Sequence, residues 1–200
     1  MKIQLKNKKL LIFDFDGTIV DSSPIHRKSF KEALYSYGLT VNYEMIKGMR
    51  TEDAILKIFD INKQSISNER LKKLISKKQS LSQNFFTNIS LIEGFYEFYQ
   101  YARSIYKLAI VSSASRISID LALKKFELEN GFDLILSSES VDNAKPNPEG
   151  FLKAVDSLGV SQSDALIFED SVAGFLAAEN AGIDCIDITK RSWGDLMIEI

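Results

Sequence analysis

Residues 10–22 read LLIFDFDGTIVDS, a short apolar run that ends in Asp14 and Asp16, one residue apart, with Gly17 directly behind them. A strand interior does not tolerate such a pair, because burying an unpaired carboxylate costs far more than one apolar side chain returns. The pair therefore belongs at the carboxyl end of the strand. Side chains alternate along a strand, so Asp14 and Asp16 project to the same side, where they repel unless a cation lies between them. A hard divalent ion that prefers oxygen ligands, such as Mg²⁺, answers that need.

Runs of the same kind recur. KLLIF (9–13), KLAIVS (107–112), LILSS (134–138), ALIFE (165–169) and DCIDIT (184–189) alternate with helical stretches at 94–105, 117–128, 148–159 and 172–182. The alternation predicts βαβ units and an α/β fold: a Rossmann-like three-layer core whose parallel sheet is covered by helices on both faces. Sheets of this kind bind ligands beyond the carboxyl ends of their strands.

Between about residue 21 and residue 89 the alternation stops. No convincing strand is found there, and helical patterns centre on 24–38, 51–60 and 68–86. This reads as a small all-helical cap inserted after the first strand, with a core of residues 1–19 and 90–200 and a cap of residues 20–89. Residues 21–89 hold twelve lysines and arginines against seven acidic residues, while the remainder holds thirteen against twenty. A basic insertion thus sits on an acidic core. Most of its lysines are expected to do no more than solvate the outer faces of helices.

Composition excludes several classes. A length of 200 residues with 45% hydrophobic and 26% charged residues is that of an ordinary globular chain, and the net charge of −2 argues against nucleic acid as a partner. No apolar run approaches the ~18 residues of a membrane span. The opening MKIQLKNKKLL runs straight into the two aspartates and does not resemble a cleavable signal, so a cytoplasmic protein is expected. The lone Cys185 permits no intramolecular disulfide, and the lone His26 excludes a site built on several histidines. Chemistry must rest on carboxylates, lysines and hydroxyls.

Three further strand ends supply such groups. KLAIVS ends at Ser112, with a helix starting just beyond; NAKPNPEGF places Lys145 before a proline-punctuated turn and a new helix; ALIFED ends in Glu169 and Asp170. A strand-end aspartate alone is usually a turn or cap residue. Four strand ends of this character in one order are a signal.

DFDGTIVDS, the strand ending in Ser112, the lysine of AKPNPEGF, and FEDSVAGFLAAENAG together resemble the four motifs of the haloacid dehalogenase superfamily, over about residues 10–183. The insertion after the first motif is similar to that of its phosphatase and phosphomutase branch. The resemblance implies that Asp14 is the nucleophile, forming an aspartyl phosphate, and that Asp16 is the general acid and base. It implies that Ser112 and Lys145 hold the transferring phosphoryl oxygens. Mg²⁺ would be bound by Asp14, the backbone carbonyl of Asp16, and Asp170, with Glu169 assisting directly or through water. The expected activity is hydrolysis of a small phosphorylated metabolite, a sugar phosphate being the leading class; a sugar phosphomutase is the alternative. A non-catalytic phosphate sensor on the same fold is disfavoured, because every expected catalytic side chain is present.

Substrate choice falls to the cap, where His26, Arg50 and Lys78 are expected to meet the leaving group, joined from the core by Ser113 and Arg116. KGMRTEDAILKIFD (47–60) resembles the cap loop of β-phosphoglucomutases, in which an arginine immediately precedes the acidic pair. Here Thr51 takes that position and Arg50 stands one residue earlier. After DCIDIT only KRSWGDLMIEI follows, where family members commonly continue with a strand and helix, which implies a sheet edge open to a partner. Trp193 and Met197 read as core cover. A monomer or weak homodimer is expected.

Overall fold

The computed structural model describes residues 5–85 and 89–197, with the backbone alone at Phe85; residues 86–88 of the expected cap, and residues 1–4 and 198–200 of the expected core, lie outside the described residues. In chain order the elements are β1 (Leu10–Phe13), β2 (Val20–Asp21), α1 (Ser23–Leu34), α2 (Thr51–Ile61), α3 (Asn68–Phe85), β3 (Ser90–Leu91), α4 (Phe95–Ala102), β4 (Lys107–Val111), α5 (Arg116–Lys125), β5 (Leu134–Leu136), α6 (Glu149–Leu158), β6 (Ala165–Glu169), α7 (Val172–Ala181), β7 (Asp184–Asp187) and α8 (Trp193–Met197).

Among the described residues, five strands form a parallel sheet in the order β5-β4-β1-β6-β7. All four residues of β1 are buried, so the strand carries no polar outer face. Alternation sorts its side chains into two cores. Leu11 and Phe13 join Leu108, Ile110, Leu166 and Phe168 under α4, α5 and α8. Leu10 and Ile12 join Ala109, Val111, Ala165 and Ile167 under α6 and α7. Trp193, fully buried, packs on the rings of Phe13, Phe95, Phe98 and Phe168 with centroids 4.7–5.8 Å away, and Met197 packs at the margin of the same cluster. Both therefore cover the core, as read from the sequence.

The order places β1 between β4 and β6: from β1 the chain runs on to β4 and β5 on one side, then crosses back to β6 and β7 on the other. The crevice beyond β1 is the point where connections diverge, and open α/β sheets bind ligands there.

Helices α1, α2 and α3 gather round a third apolar cluster that includes Phe30, Leu34, Ile55, Ile58, Phe59, Leu71 and Leu74. In α1 the buried positions are Ile25, Ser29, Phe30, Ala33 and Leu34, the one-faced spacing of a half-buried helix. One feature adds to the sequence expectation. Flanking the helical segment, β2 and β3 pair as an antiparallel ribbon, Val20 opposite Leu91 and Asp21 opposite Ser90. Two residues per strand are too few for any periodicity to reveal. No described helix is long and apolar enough to cross a membrane.

Candidate active site

β1 delivers the first functional group. The Asp14 N–H donates to the Phe168 carbonyl at 2.9 Å, which carries the β1–β6 pairing one residue past the strand and fixes where the carboxylate emerges. On the other flank, the Ser112 N–H donates to the Leu136 carbonyl at 2.9 Å and extends β4 in the same manner. Lys145 reaches this edge from the segment before α6. Its Nζ lies 2.6 Å from Asp14 Oδ1, 2.5 Å from Glu169 Oε1 and 3.0 Å from the Val111 carbonyl, and it sits 5.0 Å over the Phe151 ring.

Glu169 is fully engaged: Oε1 takes Lys145, and Oε2 accepts from the Asp170 N–H, the Ser171 N–H and the Ser171 hydroxyl at 3.0–3.1 Å. Asp170 is less satisfied. Lys47, from the helical segment, stands 2.6 Å from its Oδ2, while its Oδ1 is buried with no hydrogen-bond donor among the described residues. Gly17, at φ +88°, lets the chain pass this carboxylate, since a Cβ there would lie 1.8 Å from Asp170 Oδ2.

Asp14, Glu169 and Asp170 each offer an oxygen within 4.8 Å of the others, all three being buried. Burial pushes the Asp14 carboxyl well above the usual range; Glu169 and Asp170 add to the effect and Lys145 opposes it. Burial likewise raises Asp170 to about 6, with Glu169 adding and Lys47 opposing. Lys145 is held above its ordinary value: burial alone would lower it, but Asp14 and Glu169 outweigh that. Three carboxylates thus share two ammonium groups. An excess of buried negative charge on hard oxygen donors, one of them without a donor, fits a divalent cation.

The environment of Asp16 is the reverse. Its Oδ1 accepts from the Ser22 hydroxyl at 2.5 Å and lies 3.1 Å from His26 Nε2, while His26 Nδ1 lies 2.9 Å from Lys78 Nζ. Burial alone would raise Asp16, yet His26, Ser22 and Lys78 together hold it down at about 2. Lys78, 4.8 Å over the Phe30 ring, is lowered by burial to about 8, Asp16 opposing. Of the expected metal ligands, then, Asp14, Glu169 and Asp170 cluster, whereas the Asp16 side chain is turned to Ser22 and His26.

A cleft of about 270 Å³ opens between the sheet edge and the helical segment, and Asp14, Asp16, His26, Arg50, Lys78, Ser112 and Ser113 all line it. Lys145 lies against an adjoining cavity shared with Ser112, Ser113 and Arg50. Arg116 does not line the cleft: its Nε donates to the Asp120 carboxylate at 2.8 and 3.0 Å on the outer face of α5. Sequence reasoning passed over Ser22 and the Lys47–Gly48 pair. The signal for the pair was a lysine and a glycine just ahead of the 51–60 helix. Gly48, at φ +77°, comes so near the core that a Cβ would lie 2.2 Å from Ser171 Oγ, and its carbonyl accepts from Ser113 Oγ at 2.9 Å.

Residues 11–188 match the haloacid dehalogenase-like hydrolase family. Among proteins of similar sequence, the phosphorylated carbohydrates phosphatase of Thermotoga maritima is 29% identical over 190 residues, covering 92% of this chain and 87% of that protein. The fructose-1-phosphate phosphatase of Escherichia coli is 26% identical over 186 residues, covering 89% and 95%. In three dimensions, β-phosphoglucomutase from Clostridium difficile superposes with a TM-score of 0.83 over 96% of both chains at 21% identity, a likeness of fold.

Proposed function

Because the chain belongs to the haloacid dehalogenase-like hydrolases, a family in which its relatives mark it as a phosphoric monoester hydrolase, we propose that it is a Mg²⁺-dependent phosphatase. Its substrate is a small phosphorylated metabolite, a sugar phosphate first among the classes, and it works through an aspartyl phosphate on Asp14. Residues 20–89 act as a cap over the core. The observation that carries this reading is geometric: Asp14, Glu169 and Asp170 each bring a buried oxygen within 4.8 Å of the others at the strand ends, Lys145 stands 2.6 Å from Asp14, and Asp14, Asp16 and Ser112 line one cleft.

In the first displacement an Asp14 oxygen attacks phosphorus, the ester P–O bond breaks, and the departing oxygen takes a proton from Asp16. In the second, water attacks phosphorus as Asp16 takes its proton, and the Asp14–phosphorus bond breaks. Asp16 must therefore be protonated when substrate is bound. A dianionic ester placed beside it raises its proton affinity. Lys145 and Ser112 steady the phosphoryl oxygens. Asp14, Asp170 and the Asp16 carbonyl would hold the metal, with Glu169 supporting from behind because both its oxygens are engaged. When bound, the cation neutralises charge between carboxylate and phosphate, the repulsion that otherwise keeps a carboxylate from attacking.

Phosphate release from a broad panel of phosphorylated metabolites tests the proposal. EDTA should abolish release and Mg²⁺ restore it, while Ca²⁺, which takes more ligands at longer distances, should support it poorly. Full activity after exhaustive chelation sinks the metal assignment. Incubation with β-glucose 1-phosphate and a trace of the 1,6-bisphosphate separates hydrolysis from transfer: inorganic phosphate should appear at least as fast as glucose 6-phosphate.

A further inference from the structure

The cations that line the cleft are Lys47, Arg50 and Lys78, and each already has a partner. Lys47 pairs with Asp170 and Lys78 with the His26 ring. Arg50 is the informative one. Its Nη2 donates to two backbone carbonyls of the core, Ser138 and Val141, both at 2.9 Å. A guanidinium across two carbonyls is a charge-assisted clamp between protein segments, and it joins the loop before α2 to the turn after β5. The remaining polar lining includes Thr51, Gln79, Ser82 and Ser115, all uncharged, with the carboxylates Glu52 and Glu139. Apart from His26 Nε2, which stands 3.1 Å from Asp16 Oδ1, two polar atoms in this wall are buried without a hydrogen-bond partner among the described residues: Arg50 Nε and Ser82 Oγ. Native proteins seldom leave such groups unmet.

Resting on the phosphatase reading above, we propose that Arg50 latches the cap to the 138–141 turn, so that the cleft selects the monophosphate ester of an uncharged, hydroxyl-bearing alcohol and rejects its bisphosphate. Arg50 acts as a positioning residue. Closure is supplied by the protein's own carbonyls and needs no second phosphate on the substrate. A distal dianion would find Glu52 and Glu139 and, among the described residues, would have to draw Lys47, Arg50 or Lys78 from contacts each already makes, a juxtaposition that costs affinity by like-charge repulsion and desolvation. Hydroxyls of a neutral alcohol satisfy the Arg50 Nε–H and the Ser82 hydroxyl, each of which otherwise stays buried and unpaired.

The test compares matched pairs under saturating Mg²⁺: fructose 1-phosphate with fructose 1,6-bisphosphate, and glucose 1-phosphate with glucose 1,6-bisphosphate. For the wild type, kcat/KM for the better monophosphate should exceed that for its bisphosphate by tenfold or more. Arg50→Ala should lower kcat/KM for monophosphates by about tenfold to a hundredfold, the usual consequence of losing hydrogen bonds to a charged group. Arg50→Lys, able to reach one carbonyl, should recover part of that loss. Ser82→Ala should raise KM several-fold with kcat unchanged. Moving the arginine, by Arg50→Thr with Thr51→Arg, should free it from the carbonyls and narrow the monophosphate preference. A wild-type preference for bisphosphates overturns the inference, as does a preference that survives the exchange intact in an active enzyme. If Arg50→Ala does not fold, the wild-type ratio still decides. Failure to release phosphate from any ester with Mg²⁺ is a different result, and counts against the phosphatase reading itself.

Discussion

Asp14 and Asp16 leave the same strand end two residues apart and meet opposite surroundings. Around Asp14 the core supplies burial, Glu169 and Asp170 against Lys145, and the carboxyl is pushed up. Around Asp16 the helical segment supplies Ser22, His26 and Lys78, and the carboxyl is held at about 2. The bases differ in the same sense: Lys145, between two carboxylates, is raised, while Lys78, beside one His and over an aromatic ring, falls to about 8. Sequence proximity therefore decides little about protonation. What decides it is which segment of the chain is packed against each side chain.

The most drastic way to probe the contrast is Asp14→Asn, which keeps the shape but cannot attack phosphorus. Turnover should fall at least about a thousandfold, while circular dichroism and substrate binding persist; a residual rate above that level assigns the nucleophile elsewhere. Lys145→Met attacks the same cluster through stability. Removing one partner of a buried charged network typically costs about 3–5 kcal/mol, and urea unfolding of the metal-free protein should show a loss of that size. A change under about 1 kcal/mol means that the cluster behaves as an exposed pair.

Lys78 tests the other side. Its folded pKa of about 8 lies below the ordinary 10.5, so between those values the unfolded chain binds more protons and stability rises with pH. Below pH 8 the full penalty is present. Lys78→Met removes that penalty and should be the more stable protein at pH 7, by at most about 3 kcal/mol from the size of the shift. The advantage should fade by pH 10.5. An advantage that is independent of pH means that packing, and not ionisation, is responsible. The mildest change is His26→Asn, which takes the main cationic influence from Asp16. Its kcat should drop about tenfold, a fraction of what general acid–base catalysis contributes. The alkaline limb of kcat/KM, where the Asp16 proton needed in the first displacement is lost, should move to higher pH as the Asp16 carboxyl relaxes upward, and an unmoved limb breaks the link between His26 and Asp16.

Much of this was legible in the chain. The five sheet strands could be found because four are apolar runs closed by a polar residue and the fifth, β7, keeps the alternation with helical stretches, and the groups at those ends, Asp14, Ser112, Glu169 and Asp170, are placed by strand geometry. Lys145 was legible through the turn residues around it. The cap residues were less so, because what Lys47 and Arg50 touch depends on how two segments distant in sequence come together, and no local periodicity encodes that. Arg116 is the instructive exception: Asp120 stands four residues on, the spacing at which helix side chains meet, and that local pairing turned it from the cleft. The β2–β3 ribbon was invisible because Val20–Asp21 and Ser90–Leu91 are each only two residues long.

That ribbon has a mechanical meaning. The helical segment joins the sheet through two adjacent strands, tied together by the Val20–Leu91 and Asp21–Ser90 rungs. Such a neck gathers the entry and the exit of the segment at one point, a single pin on which it hangs. Ser22 lies one step from it, Gly17 donates its N–H to the Val20 carbonyl at 2.7 Å, and Asp16 bridges to Val20. Asp16 is thereby mounted at that pin, whereas Lys47, Gly48 and Arg50 stand away from it in the helical segment and meet the core as one set.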